Sequence, residues 1–150
     1  MAENWIYQGV EITSYEQFPK GAIGFIYHIV ASNPLGKREY IGRKQALSYR
    51  KKKFGKKKIA AMKDKRLKTY EIVIKENDWK TYTGSNKELN EFIKNGGKIT
   101  KYITRFCTTK SQLTYYENKE LYCQGVLEND HFYNENIGGK VYRKSLEDAK

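Results

Sequence analysis

Apolar residues concentrate first in residues 23–31 (IGFIYHIVA), a short run of β-formers that predicts a strand. Asn33-Pro34-Leu35-Gly36 is a turn signal, and Arg38–Gly42 (REYIG) reads as a second strand, so the two form an antiparallel hairpin. Farther on, Ser85 is a candidate N-cap with Glu88 completing a capping box. Leu89, Phe92 and Ile93 then form a helical apolar stripe that stops at Asn95-Gly96-Gly97. Ile99–Cys107 alternates roughly and predicts a third strand. Thr108/Thr109 open a second helix, from about Lys110 to Gln124, with Leu113, Tyr116 and Cys123 near one face. Leu127–Phe132 reads as a loop, and around Tyr70–Ile74 the periodicity does not decide between a strand and a helix end.

This order predicts an α+β fold: a small three-stranded antiparallel sheet flanked by helices. Residues 1–21, with Trp5, Ile6, Tyr7, Ile12 and Phe18, form an N-terminal extension that packs on the domain and holds a short strand near Ile6–Ile12. The domain proper spans 22–139, and 140–150 is a polar C-terminal tail expected to fray. Inside the domain, segment 43–68 is crowded with lysine and arginine against one acid, Asp64. It predicts a basic helical stretch starting near Gln45 and broken at Gly55.

Charge narrows the function. The 150 residues suit one domain with a modest core, and the formal net charge is +12 with a pI near 9.5. That balance favours a polyanionic partner, nucleic acid before membrane. No stretch has the length of a membrane-spanning helix, and the N-terminal residues lack the layout of a signal peptide. Cys107 and Cys123 are too few and too far apart for a zinc site and read as buried thiols in a reducing, cytoplasmic setting.

Taken singly, the chemistry-bearing residues are unremarkable: a strand tyrosine usually packs, and a lone glutamate on a helix is usually solvated. Their joint order is specific. Gly24-Phe25-Ile26-Tyr27, Tyr40-Ile41-Gly42, an arginine, Glu117 within Leu113–Leu121, and Tyr133-Asn134 follow one another as in the GIY-YIG nuclease family, which the chain resembles over residues 23–138. The run Tyr82–Leu89 also resembles the family's central segment. The match departs in two places. The usual Gly-Ile-Tyr is here Phe25-Ile26-Tyr27 with Gly24 one place earlier, and the histidine that many members carry one turn after the arginine is Phe54.

The resemblance implies a metal-dependent endonuclease that hydrolyses DNA phosphodiester bonds, of a phage, mobile-element or homing endonuclease type. It implies Tyr27 as the base, Tyr40 as a phosphate or water contact, Gly42 as the glycine of the second strand, and Asn134 in the closing pair. Arg50 fits the family's arginine on a helix after that strand, with Arg43 as its rival. Glu117 binds the metal, with Glu120 as fallback. One divalent ion per site, Mg2+ or Mn2+, suits a single carboxylate plus phosphate oxygens. With no family histidine, Lys37 is a candidate proton acceptor, since a lysine serves that role when its pKa falls in a crowded cationic site. His28 points to the face opposite Tyr27 if the segment is a strand. An unperturbed tyrosine has a pKa near ~10, so a tyrosine base needs positive charge nearby, which the lysine-rich surroundings would supply.

Lys44, Lys51, Lys52, Lys53, Lys56, Lys57 and Lys58 are expected to contact the phosphates of double-stranded DNA with little base discrimination. A homodimer would permit a double-strand cut; a monomer with one metal site would nick first. Two alternatives stand beside this reading: a non-catalytic basic nucleic-acid-binding module, and a nuclease acting on RNA or branched DNA.

Overall fold

The structure is a computed structural model that describes residues 3–61 and 69–147. The central hairpin pairs β3 (Gly24–Asn33) with β4 (Gly36–Gln45) along their whole length, from Gly24↔Gln45 to Asn33↔Gly36. On the other side of β3 lies β7 (Lys98–Cys107), antiparallel, with a bulge between Ile26 and Tyr27. These are the three strands expected from the sequence. β3 is buried on both faces, which explains its nearly continuous apolar run.

The sheet does not stop at three antiparallel strands. β1 (Trp5–Tyr7) pairs parallel to the outer edge of β7, and β2 (Val10–Ile12) pairs antiparallel to β1, giving a mixed five-stranded sheet in the order β2-β1-β7-β3-β4. Residues 5–12, read as part of an extension, thus belong to the main sheet. A tight turn at Gln8-Gly9, with φ of 49° and 81°, joins them. The reason is burial. Trp5 is fully buried, its ring meets Phe25 and Tyr27 edge-on or tilted, and its indole N–H donates to the Trp79 carbonyl at 2.7 Å.

The second departure is the basic segment. After β4, the buried Ala46 donates its N–H to the Ile23 carbonyl at 2.7 Å, and the chain continues as β5 (Leu47–Lys53) rather than as a helix. β5 pairs antiparallel with β6 (Tyr70–Glu76), whose β-branched Ile72, Val73 and Ile74 favour extended backbone, and the two form a separate ribbon. Among the described residues of the segment, helix occurs only in α1 (Lys56–Ala61). Residues 62–68 of this segment, including Lys63, Lys65, Arg66 and Lys68, lie outside the described residues.

Among the described residues, the later helices are α2 (Lys87–Lys94), α3 (Lys110–Cys123) and α4 (Arg143–Glu147). Asn86, not Ser85, caps α2, accepting the Leu89 N–H at 2.9 Å. Thr109 caps α3, accepting from Gln112 at 3.0 Å. A small pair, β8 (Asn136–Ile137) and β9 (Val141–Tyr142), precedes α4.

Of the tail 140–150 expected to fray, residues 148–150 lie outside the described residues, and Arg143 is held to the domain. The Arg143 guanidinium donates to the carbonyls of Val126, Leu127, Phe132 and Asn134 at 2.6–3.2 Å. Of the thiols, Cys107 is buried as expected, whereas Cys123 is exposed. Among the described residues, no helix is long and apolar enough to cross a membrane.

A buried cation ties the sheet to the segment before α2. Lys101 of β7 is fully buried, stands opposite Trp5 in register, and places its ammonium 4.3 Å from the Trp5 ring. The ammonium donates to the carbonyls of Lys80 and Tyr82, each at 3.0 Å. Burial lowers its pKa from 10.5 to about 8, partly opposed by Glu3.

Two outcomes test this architecture. Trp5→Ala should cost about 3–5 kcal/mol of stability in urea titration, because β1 belongs to the core sheet. The Lys101 pKa is lower folded than unfolded, so the unfolded chain holds the extra proton between pH 8 and 10.5. Across that window Lys101 adds stability as pH rises, and wild type should gain on Lys101→Met by on the order of 2–3 kcal/mol.

Candidate active site

The site is assembled where β3, β4 and α3 meet the segment before α2. Because Tyr27 and Gly42 are cross-strand partners, the Tyr27 ring lies directly over a residue with no side chain. A Cβ on Gly42 would come within 2.5 Å of the Tyr27 hydroxyl and 2.7 Å of Cζ, so only glycine fits there. Tyr40 stands two residues before Gly42 and presents its ring 6.2 Å from that of Tyr27. Tyr82 meets Tyr27 edge-on at 6.1 Å.

Gly84 completes this wall. Its φ is +84°, and a Cβ there would press on the Tyr40 ring at 3.0 Å and the Tyr27 hydroxyl at 3.3 Å. Ser85, freed from capping, shares a 3.2 Å hydrogen bond with the Tyr40 hydroxyl.

From the facing helix comes Glu117, whose carboxylate lies 3.8 Å from the Arg43 Nε. Arg43 also donates to the Thr114 hydroxyl one turn earlier on α3. The side chains of Tyr27, Tyr40, Arg43, Tyr82 and Glu117 line one open, polar cavity of about 810 Å³, together with Gly42 and Asn134.

Asn134 serves the frame of this cavity. Its side-chain oxygen accepts the Ile41 N–H at 3.1 Å and its amide donates to the Ile41 carbonyl at 2.8 Å, so both groups are used on the β4 backbone. The adjacent Tyr133 N–H donates to the Glu39 carbonyl at 2.8 Å. Asn86 donates to the Tyr133 carbonyl at 2.9 Å, linking the α2 cap to the same loop.

The other sequence candidates lie elsewhere. Arg50 stands on β5, paired with Val73 and exposed, and is not among the cavity-lining residues. Phe54 follows the same strand, with the Lys58 ammonium 4.1 Å from its ring. The spacing that suggested a helical turn between these positions falls on a ribbon and its end. Lys37 sits at the far end of the β3–β4 hairpin, opposite Ser32.

Lys44 pairs with Asp78 at 2.8 Å and lies 4.1 Å from the Tyr82 ring. Lys51, Lys52 and Lys53 lie on β5, while Lys56, Lys57 and Lys58 open α1; all are exposed. Glu120 turns away from the cavity to His28, at 3.2 Å, and Glu39 bridges His28 at 3.6 Å and His131 at 2.8 Å. Both histidines are thereby held in one carboxylate chain outside the cavity lining.

The electrostatics differ from the expected cationic setting for Tyr27. Burial raises its hydroxyl pKa well above the ordinary value, and Tyr40, Tyr82 and Glu117 push it the same way. Tyr40 is also raised, chiefly by burial, against the Ser85 hydrogen bond. Glu117 is raised by burial, with Arg43 opposing. Glu117 is thus a partly buried carboxylate whose negative charge Arg43 offsets.

Sequence reasoning assigns no site role to Tyr82, Gly84, Lys101 or Arg143, and reads Ser85 only as a helix cap. The resemblance of the Tyr82–Leu89 run to the family's central segment was the available signal for Tyr82, Gly84 and Ser85. For Gly42→Ala, the contact with Tyr27 predicts a loss of about 1–3 kcal/mol in stability, measured by urea denaturation, with displacement of the tyrosine from the cavity wall.

Comparison with known proteins gives the family. A family model described as "Putative endonuclease segE, GIY-YIG domain" matches residues 5–137, from the first strand of the sheet to the β8 strand. No curated protein and no solved structure matches the chain. The matched span covers most of the 150 residues and every residue of the cavity wall up to Ile137: the chain belongs to the GIY-YIG nuclease family.

Proposed function

We propose that this protein is a divalent-metal-dependent endonuclease that hydrolyses phosphodiester bonds of double-stranded DNA. The supporting observation is the convergence of Tyr27, Tyr40, Arg43 and Glu117 on one polar cavity from two strands and a helix. In the reaction a water oxygen attacks phosphorus, one P–O ester bond breaks, and the departing oxygen takes up a proton.

Arg43 rather than Arg50 lines this cavity, which supports the reading that Arg43 binds a phosphate through the planar fork of its guanidinium. Tyr40 binds water or a phosphate oxygen through its hydroxyl. Tyr27 holds its proton at neutral pH, so it orients the attacking water by hydrogen bonding and becomes a base only where positive charge is added beside it.

The donor set suits a hard cation that keeps most of its waters. Glu117 offers one carboxylate, the neighbouring groups are oxygen-bearing, and no cluster of three or more His, Cys, Asp or Glu side chains among the described residues forms a protein-only cage. An ion held by Glu117 would supply positive charge to the phosphate, the leaving oxygen and the nearby hydroxyls.

Supercoiled plasmid incubated with the protein and Mg2+ should give nicked or linear product. Glu117→Gln should lower the rate by about 100-fold or more while DNA binding persists, and Tyr27→Phe should lower it comparably. Full activity in either variant would overturn the assignment. Cleavage of RNA or branched DNA in preference to linear duplex would overturn the substrate.

A further inference from the structure

The β5–β6 ribbon has features that the cavity does not use. It is two strands wide and belongs to no larger sheet, although isolated ribbons of that width are marginal in water. Its base is fixed. Asn77 donates from its side chain to the Gln45 carbonyl at 2.6 Å and from its backbone to the Ala46 carbonyl at 3.0 Å, and Glu76 accepts the Trp79 indole N–H at 2.6 Å. Beyond that base both faces are open among the described residues.

On one face Tyr49, Ile72 and Ile74 stand together and are 44%, 54% and 58% exposed. The other face carries Arg50 and Lys52, with Val73 and Glu71 opposite them. From Leu47 to Ala61 and from Tyr70 to Glu76 there are eight lysines and arginines against two glutamates.

We propose that this ribbon is a duplex-binding arm that lies in the major groove of the DNA cut in the cavity. The proposal rests on the nuclease reading and specifies how the substrate is held. Charge selects the occupant: packing two such ribbons from separate copies would set like charges against each other, whereas a polyanion neutralises them. Shape agrees, since a major groove about 12 Å wide admits a two-stranded β-ribbon. Seven strand residues extend about 20 Å. At about 3.4 Å per base pair, that length follows roughly six base pairs. In this placement Tyr49, Ile72 and Ile74 face sugars and base edges, and the flanking cations reach phosphates. Placement on the substrate also agrees, because β4 carries Tyr40, Gly42 and Arg43 into the cavity and becomes the ribbon after Ala46 with no linker between.

The test uses the full chain with Glu117→Gln, so that binding is measured without cleavage. A mixed-sequence linear duplex and a single strand of the same length are titrated over a range of salt concentrations. Adding Arg50→Gln, Lys51→Gln, Lys52→Gln and Lys53→Gln together should weaken duplex binding at least about tenfold near 0.1 M salt. It should also lower the slope of log affinity against log salt by about 3 to 4. The loss should be smaller on the single strand, and the thermal midpoint should stay unchanged.

Ile72→Thr with Ile74→Thr, which keeps β-branching, should also weaken duplex binding. Unchanged duplex affinity and slope in the four-residue variant would overturn the proposal, as would equal losses on single strand and duplex. A dimer that dissociates on the isoleucine substitutions without loss of duplex affinity would overturn it in favour of a second copy as the occupant. These outcomes are independent of catalysis: a wild type that binds through the ribbon but never cleaves would refute the nuclease reading and leave the arm standing.

Discussion

Everything at the candidate site follows from one register: Tyr27 opposite Gly42. A tyrosine ring can lie flat across a neighbouring strand only where that strand offers no side chain, and the pairing of β3 with β4 supplies that place. A slip of one residue would turn Tyr40 to the face opposite Tyr27 and set a side chain beneath the Tyr27 ring. The register is held at both ends. Gly24 lies against Lys44 and Gln45 so closely that a Cβ would collide with backbone, and Gly36 turns the hairpin with φ of +139°. Asn134 then occupies both backbone groups of Ile41, the residue before Gly42, and so fixes the outer side of the same strand.

The second constraint is the handling of buried charge. Lys101 and Arg143 are cations that each gather backbone carbonyls from a loop with no regular structure of its own. Carbonyls left unpaired in these loops would be costly, and a cation satisfies several at once. Lys101 secures the segment that ends in Tyr82, and Arg143 secures the loop that ends in Asn134. The cavity therefore has two walls made of irregular chain, each held by one cation from a distant part of the sequence.

These features explain which parts were legible in the sequence. The hairpin, β7 and α3 could be read because their apolar patterns are long, and because Tyr27, Tyr40, Gly42, Glu117 and Asn134 recur in a fixed order. β1 has only three residues, and nothing local marks Trp5 as the partner of a strand about ninety residues later. β5 was missed for another reason. A ribbon exposed on both faces has no alternation of apolar and polar positions, so its lysines read as a basic helix and took Arg50 with them. Lys101 and Arg143 were illegible because their partners are carbonyls, which sequence cannot distinguish.

The Arg143 staple bears on the timing of synthesis. The residues gathered in the cavity run from Tyr27 to Gly139, but the loop carrying Asn134 is held by a guanidinium that follows all of them. On the ribosome, a chain that has already displayed both tyrosines and Glu117 still lacks the contact that closes the wall. For a chain of this nuclease family, that order leaves the wall of the candidate site open until almost the whole described chain has emerged.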